Sequence, residues 1–196
     1  MTLRLLTAGL IAGVLIVPGA ARAQDRIMRP VVPAEIELSS DYKLFFFGHA
    51  VGTQNYMCAP AATPSGVDWF FIGPQATLFN SNGEQVVTHF LSRNPLQNDA
   101  LQATWQHSQD SSKVWARRLR GSVDPAYVAP DAIEWLLLEG TGPEAGPTGG
   151  IKLNPAVRIH RVNTVGGMKP PAGDCTPATI NSRKFVPYEA DYYFYK

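Results

Sequence analysis

Apolar and polar residues alternate along short segments of this chain, and turn-forming residues separate the segments about every ten positions. Residues 51–58 alternate cleanly, as in a strand whose successive side chains point to opposite faces of a sheet. Residues 133–138 are a continuous apolar run bounded by proline and glycine, which favours a buried strand over a helix. No stretch of ten or more residues after the first 23 keeps the 3.6-residue period of an amphipathic helix.

Two pairs of segments flank turn-forming residues and predict β-hairpins. An Asn-Gly dipeptide at 82–83 lies between the apolar segments 76–79 and 84–90, and this dipeptide is the strongest short-range hairpin signal. Residues 102–107 and 113–119 flank a polar turn and predict a second hairpin.

Aromatic residues concentrate in three of the predicted strands. Residues 69–72 read Trp-Phe-Phe-Ile, a continuous apolar run that is typical of a strand buried on both faces. Trp105 and Trp115 are expected to pair across the second hairpin. Alternate residues of the segment 186–194 are apolar, so this segment predicts a core strand near the C-terminus.

Short strands and frequent turns together predict the fold class. We expect an all-β fold: a single-domain β-sandwich or a barrel-like antiparallel sheet with long proline- and glycine-rich loops. The 196 residues include 17 glycines and 16 prolines, with no internal repeat. We expect an extended lead-in over residues 24–38 and one β domain over residues 39–196, long enough to bury a full hydrophobic core.

The first 23 residues have the pattern of a cleavable signal peptide. Arg4 precedes an apolar run of about thirteen residues, too short for a bilayer span of roughly twenty, and Ala-Arg-Ala at 21–23 fits the cleavage rule. We therefore predict cleavage after Ala23, export to the periplasm or the medium, and no stable membrane anchor; a retained anchor is the alternative. Cleavage removes Arg4 and Arg22, so the formal net charge changes from +1 to −1, which does not favour nucleic acid as a partner.

Cys58 and Cys175 are the only cysteines in the sequence. An even pair in an exported protein predicts a disulfide. A metal pair and a catalytic thiol are the alternatives, but the two residues are far apart and neither belongs to a Cys-x-x-Cys motif. We therefore predict one disulfide that closes a loop of more than a hundred residues.

The sequence contains no nucleotide-binding motif. Residues 133–146 resemble a strand followed by a dinucleotide fingerprint, but the third glycine is one position late, and Pro143 and Pro147 prevent the helix that would hold a pyrophosphate. The basic cluster at 117–120 lacks interleaved aromatic residues and predicts a solvated strand edge. No cofactor is expected.

The four histidines lack the spacing of metal ligands, so no metal site is predicted. His89 is expected to be a hydrogen-bonded strand residue. If the strand that contains 158–160 pairs with the strand that contains 189–191, their polar side chains meet. They would then form either a salt-bridged surface ladder or an acid–base cluster, and the ladder is the simpler interpretation. The candidates for catalysis are therefore His89, His160 and Asp191.

Four further residues are candidates for ligand binding: Arg161, Asn163, Tyr193 and Tyr195. The polar side chains of Arg161 and Asn163 are not explained by packing. Tyr193 and Tyr195 lie on the polar and aromatic face of the last strand, which suits a sugar or an apolar ligand. The binding and catalytic hypotheses would be distinguished most directly by a structure that shows whether His89, Arg161 and Asp191 share a cavity.

The order of several short motifs resembles a known family. The motifs are Gly52-Thr-Gln-Asn-Tyr-Met-Cys58, Trp69 with Gly73-Pro74, Gly83 with His89-Phe90, Trp135-Leu-Leu-Leu138, Arg161-Val-Asn-Thr164, Gly166-Gly167, Cys175 and Ala190-Asp-Tyr-Tyr-Phe-Tyr195. The chain resembles, over most of residues 35–196, the secreted bacterial and fungal proteins grouped as domain of unknown function 3455. This resemblance implies an exported single domain and supplies no catalytic residues. The chain departs from the family pattern in a longer polar insertion at 92–102.

Two functional hypotheses are consistent with these residues. The favoured one is a non-enzymatic, exported β domain that binds a small ligand, a glycan or a partner in the cell envelope, because no reaction motif occurs. The alternative is a hydrolase-like enzyme with a dispersed polar site around His89, His160 and Asp191.

Overall fold

The computed structural model describes residues 27–196. Eight strands follow one another in antiparallel order, and the last pairs with the first, so the sheet closes into an up-and-down barrel. The strands are β1 Leu44–Pro60, β2 Val67–Phe79, β3 Gln85–Asn94, β4 Ala100–His107, β5 Lys113–Ser122, β6 Trp135–Glu144, β7 Arg158–Gly166 and β8 Arg183–Tyr195. Both predicted hairpins are present, and the all-β prediction is confirmed in its barrel form. The predicted signal peptide, residues 1–23, lies outside the described residues.

The Trp-Phe-Phe-Ile run of β2 does not have both faces buried, and that prediction was wrong. Trp69 is buried, but the Phe70 and Phe71 side chains are 44% and 49% exposed. The reason is that β2 pairs with β3 only from Ala76 to Phe79, so the first half of β2 has a neighbour on one side alone. From sequence alone, a continuous apolar run in a strand at the rim of a barrel therefore looks the same as one in a central strand that is buried on both faces.

The two tryptophans of the second hairpin lie on opposite faces of the sheet. Trp105 is opposite Val114, and Trp115 is opposite Thr104, so the expected tryptophan pair is offset by one residue. A shift of one residue reverses the face of a side chain. Trp105 therefore packs inside the barrel, whereas the Nε1–H of Trp115 donates to the Ser92 hydroxyl outside it, at 2.8 Å.

Side chains fill the end of the barrel at which β1 begins and β8 ends. Phe194 packs edge-on against Trp105, with ring centroids 6.1 Å apart, and against Phe46 at 5.4 Å. Leu78, Val87 and Val114 complete this layer, and the loop after β6 contributes the buried Leu153 and Ala156. An eight-stranded barrel is just wide enough for side chains to fill, so this end is closed.

The N-terminal segment packs against the outside of the closed end. It is extended except for one 3-10 turn, Ala34–Ile36, and Ile36 is fully buried against a second apolar cluster that includes Leu137 and Tyr195. His160 fixes this contact, because its Nε2–H donates to the Ile36 carbonyl at 2.7 Å and its Nδ1 accepts from the Tyr195 hydroxyl at 3.1 Å. Burial lowers the pKa of His160, which matches a neutral, structural histidine.

The opposite end of the barrel is open because two seams interrupt the sheet there. β4 pairs with β5 only from Ala103 to Gln106, and the residues of β2 before Ala76 have no partner on β3. Residues 92–102 consequently pair only with one another and form a hairpin, which we call the flap. The polar insertion at 92–102 builds this flap, and the Asn94 amide donates to the Thr141 hydroxyl at 3.2 Å, which ties the flap to β6.

The predicted disulfide is confirmed. Cys58 and Cys175 are bonded with an S–S distance of 2.02 Å across a sequence separation of 117 residues. The bond fastens the long loop after β7 to the end of β1 at the open side of the barrel. That loop begins at Gly166 and Gly167, whose φ angles of 62° and 79° lie in the left-handed region that glycine adopts without strain. Within residues 27–196, no helix has the length and apolar character required to cross a membrane.

Candidate functional site

The open end of the barrel contains two adjoining cavities. The inner cavity, of about 270 Å³, reaches from the centre of the barrel to the seam between β4 and β5. The outer cavity, of about 910 Å³, lies between the β5–β6 loop and the start of the β7–β8 loop. The two share five lining residues: Gln54, Phe71, Arg118, Leu136 and Arg161. Arg161 therefore lies where the inner cavity meets the outer cavity.

Three aromatic rings in mutual contact form the floor of the inner cavity. His89 lies flat on Trp105 with centroids 4.2 Å apart, and Tyr192 meets both rings edge-on at 5.2 and 5.5 Å. The Nδ1 of His89 lies 2.8 Å from the Thr104 carbonyl, and since a carbonyl can only accept, Nδ1 carries the proton. Burial lowers the pKa of His89 to about 3, so this histidine is neutral at physiological pH.

Three buried N–H donors around the inner cavity have no acceptor among the described residues. They are Nε2 of Gln54, Nε1 of Trp105 and Nε of Arg161, and all three residues line the inner cavity. Gln54 and Trp105 are 3% and 0% exposed. An unsatisfied buried donor costs about 1–3 kcal/mol, and such groups in a folded protein call for an explanation.

The charges around the two cavities balance except at Arg161. Three lining cations are each paired with a carboxylate: Arg117 with Glu139 at 2.8 Å, Arg118 with Glu134 at 3.0 Å and Lys169 with Asp68 at 2.6 Å. Arg161 has no carboxylate within 4 Å in the described part of the chain. Its Nη2 donates to the Glu134 backbone carbonyl at 2.9 Å, which leaves the charge of the guanidinium uncompensated.

The structure brings His89 and Arg161 together and separates both from Asp191. His89 and Arg161 line the inner cavity. Asp191 lies on the outer face of β8, where its carboxylate contacts His49 Nδ1 and the Asn163 amide, each at 2.8 Å. Because His160 lies beneath the N-terminal segment, the three candidates for catalysis occupy three different places.

The remaining candidates also have structural partners on the outside of the barrel. β7 and β8 pair as expected, but Arg158 contacts Glu139 of β6 at 3.6 Å rather than a carboxylate of β8. Tyr195 is fully buried beneath the N-terminal segment, and Tyr193 packs on Phe47 with centroids 4.9 Å apart. The outer face of β8 therefore presents no continuous exposed aromatic strip.

Gln54 and Trp105 belong to the site although sequence reasoning did not select them. A signal for Gln54 was present, because it shares a strand face with Tyr56 and Cys58 and is thus a polar residue at a core position. The Tyr56 hydroxyl has a structural partner, the Gly167 carbonyl, at 2.8 Å. Among residues 27–196, the Gln54 Nε2 makes no hydrogen bond of normal geometry, although the Gln54 side chain approaches the Tyr188 hydroxyl.

The fold and the site define a closed, eight-stranded antiparallel barrel with a cavity at its open end. The chain belongs to the family described as Protein of unknown function (DUF3455), which matches residues 39–196. This match confirms the resemblance found in the sequence motifs. No curated protein and no solved structure matches the chain.

Replacing Arg161 by methionine is expected to raise the free energy of unfolding by about 1 kcal/mol, because the variant removes an unsatisfied donor and an uncompensated charge from the barrel. Urea denaturation of the purified protein measures the change. The matched control is Arg120→Met, which removes an exposed arginine of β5 and should change stability by less than about 0.5 kcal/mol. A clear loss of stability in Arg161→Met would show that the guanidinium is satisfied where it lies.

Proposed function

We propose that this protein binds one small molecule inside the open half of its barrel. The observation that carries this proposal is the pair of adjoining cavities, with Arg161 at their junction and three unsatisfied donors around the inner one. Ligand sites in proteins are concave, largely apolar and furnished with a few convergent polar groups. Eight-stranded barrels have room for one small ligand when side chains do not fill them.

The residues that line the cavities support binding rather than hydrolysis. Among the residues that the structure describes, the lining contains no serine, threonine or cysteine, and its one carboxylate, Glu134, is paired with Arg118. His89 is a poor general base, since a group with a pKa of about 3 has little affinity for a proton near neutral pH.

The mouth of the barrel favours a ligand with apolar surface. The outer cavity is lined by apolar side chains from two loops, among them Val123, Val128, Ile133 and Met168. Two of these residues, Val123 and Met168, are 72% and 46% exposed. Exposed apolar surface around a cavity is a common mark of a binding site.

Export remains part of the proposal. The predicted signal peptide would deliver the protein to the periplasm or the medium, and the Cys58–Cys175 disulfide is compatible with an oxidising compartment. The ligand would then be a molecule of the envelope or the surroundings of the cell.

A neutral dye that fluoresces in apolar surroundings, N-phenyl-1-naphthylamine, tests this proposal. We expect saturable binding of one dye per protein, and a loss of at least about tenfold in affinity for Leu136→Trp, which fills the junction of the cavities. The matched control is Leu119→Trp, at an exposed position of β5 outside the cavities, which should bind like the wild type.

Circular dichroism establishes that both variants are folded. Absence of dye binding to the wild type, or unchanged binding to a folded Leu136→Trp, would contradict the proposed function.

A further inference from the structure

We infer that the ligand is a monocarboxylate with a compact apolar body, whose carboxylate is bound by Arg161 and Gln54 and whose body occupies the inner cavity. This inference rests on the proposed function and adds the chemistry of the ligand to it. Three independent properties of the cavity lead to it: its charge, its hydrogen-bonding groups and its volume.

The charge of the cavity indicates one negative charge on the ligand. Arg161 is the one lining cation without a carboxylate within 4 Å among the described residues, whereas Arg117, Arg118 and Lys169 are each paired. A monoanion beside Arg161 would neutralise the site. A dianion would leave one charge uncompensated in a largely apolar cavity, and a cation would be repelled, so both are disfavoured.

The unsatisfied donors indicate that the bound group accepts hydrogen bonds. Arg161 Nε and Gln54 Nε2 make no hydrogen bond of normal geometry in the described structure, where the Tyr192 and Tyr188 hydroxyls are the protein groups that approach the two side chains. Both residues lie at the junction of the two cavities. An ionised carboxylate has two oxygens that only accept, and it matches the fixed donors of a guanidinium. Because both donor atoms are buried, the two side chains must shift to bring them onto one carboxylate; the Arg161 side chain as a whole is only partly buried.

The Gln54 side chain provides evidence that is independent of charge. It is 3% exposed, faces the barrel interior and has an unsatisfied amide nitrogen. A buried amide without a partner weakens the folded state. Gln54 and Arg161 both line the junction of the two cavities, and the unsatisfied Gln54 amide is explained if both side chains bind the same acceptor.

The volume of the inner cavity limits the apolar body. Cavities of about 150 Å³ hold a benzene molecule, so the space of about 270 Å³ suits a single ring with a short chain, or an alkyl chain of comparable size. Its walls include Leu91, Leu138 and the Tyr192 ring, which provide apolar contact. The carboxylate then lies at the junction, and the outer cavity is the path of entry.

A matched series of three probes tests this inference: 4-phenylbutanoate, 4-phenylbutan-1-ol and 4-phenylbutylamine. They differ only in the terminal group, and their affinities are measured by displacement of N-phenyl-1-naphthylamine at pH 7. We expect the carboxylate to bind roughly 10- to 100-fold more tightly than the alcohol, the gain typical of a charge-assisted hydrogen bond. The amine should bind more weakly than the alcohol.

Two variants test whether the preference for the carboxylate depends on Arg161. In Arg161→Met the carboxylate should bind no better than the alcohol, while the affinity for the alcohol changes by less than about threefold. The matched control is Arg117→Met, which removes a lining arginine that is already paired with Glu139 and should keep the preference.

The outcomes separate this inference from the proposed function. Equal binding of the carboxylate and the alcohol by the wild type would overturn the inference and leave the ligand-binding function intact. A carboxylate preference that persists in Arg161→Met would overturn the assignment to Arg161. If the wild type does not bind the dye, the probes have nothing to displace, and both the inference and the proposed function are wrong.

Discussion

The double variant Cys58→Ala, Cys175→Ala is expected to lower the free energy of unfolding by about 5 kcal/mol. The disulfide closes a loop across 117 residues, and the chain-entropy model gives about 5 kcal/mol for a loop of this length. Alanine is the suitable replacement because both cysteines are buried, at 0% and 3% exposure, where a serine hydroxyl would require a partner. Urea denaturation at pH 7 measures the difference.

The wild type in reducing agent is the control for this prediction, because it loses the bond but keeps both sulfur atoms. Its stability should lie within about 1–2 kcal/mol of the double variant, the difference being the packing of the sulfur atoms against Val67 and Trp69. A loss smaller than about 1 kcal/mol in both proteins would show that the noncovalent contacts of the long loop hold it without the bond.

The strands of this barrel could be predicted from the sequence, but its closure could not. Alternation in β1 placed Gln54, Tyr56 and Cys58 on one face, and the structure buries all three. The same alternation occurs in a sandwich and in a barrel. The difference lies in the pairing of β1 with β8, for example His49 opposite Asp191, and no local pattern specifies contacts between residues so far apart in the chain.

The candidate site could be predicted only in part. Arg161 and His89 were selected from the sequence, and they share a cavity because β3 and β7 both direct these side chains inward. Asp191 was grouped with them, yet it lies outside because its neighbours on β8, Ala190 and Tyr192, face the core. Trp105 was not selected, because a tryptophan in a strand most often signals packing; its unsatisfied N–H appears only when its surroundings are known.

Between pH 6.5 and pH 4, His89 alone is expected to reduce the free energy of unfolding by about 3 kcal/mol. Burial, aided by the charge of Arg161 and opposed by the bond to Thr104, lowers the pKa of His89 from 6.5 in the unfolded chain to about 3. The unfolded state therefore takes up a proton below pH 6.5 that the folded state excludes. The stability from His89 is complete above pH 6.5 and is lost at about 1.4 kcal/mol per pH unit as the pH falls toward 3.

The variant His89→Asn isolates this contribution, because the asparagine amide can still donate to the Thr104 carbonyl but does not titrate. Urea denaturation at pH 7, 5.5 and 4 should show that the variant loses about 3 kcal/mol less than the wild type over this range, although its stability at pH 7 is lower without the stack on Trp105. Leu91→Ala is the control for lost packing, and it should shift stability equally at every pH. His107 and His160, whose pKa values burial also lowers, remain in all three proteins and cancel in the comparison.

Identical pH dependence in the wild type and His89→Asn would mean that His89 accepts a proton inside the folded barrel, beside the charge of Arg161, and that the floor of the cavity is wetter than its packing indicates.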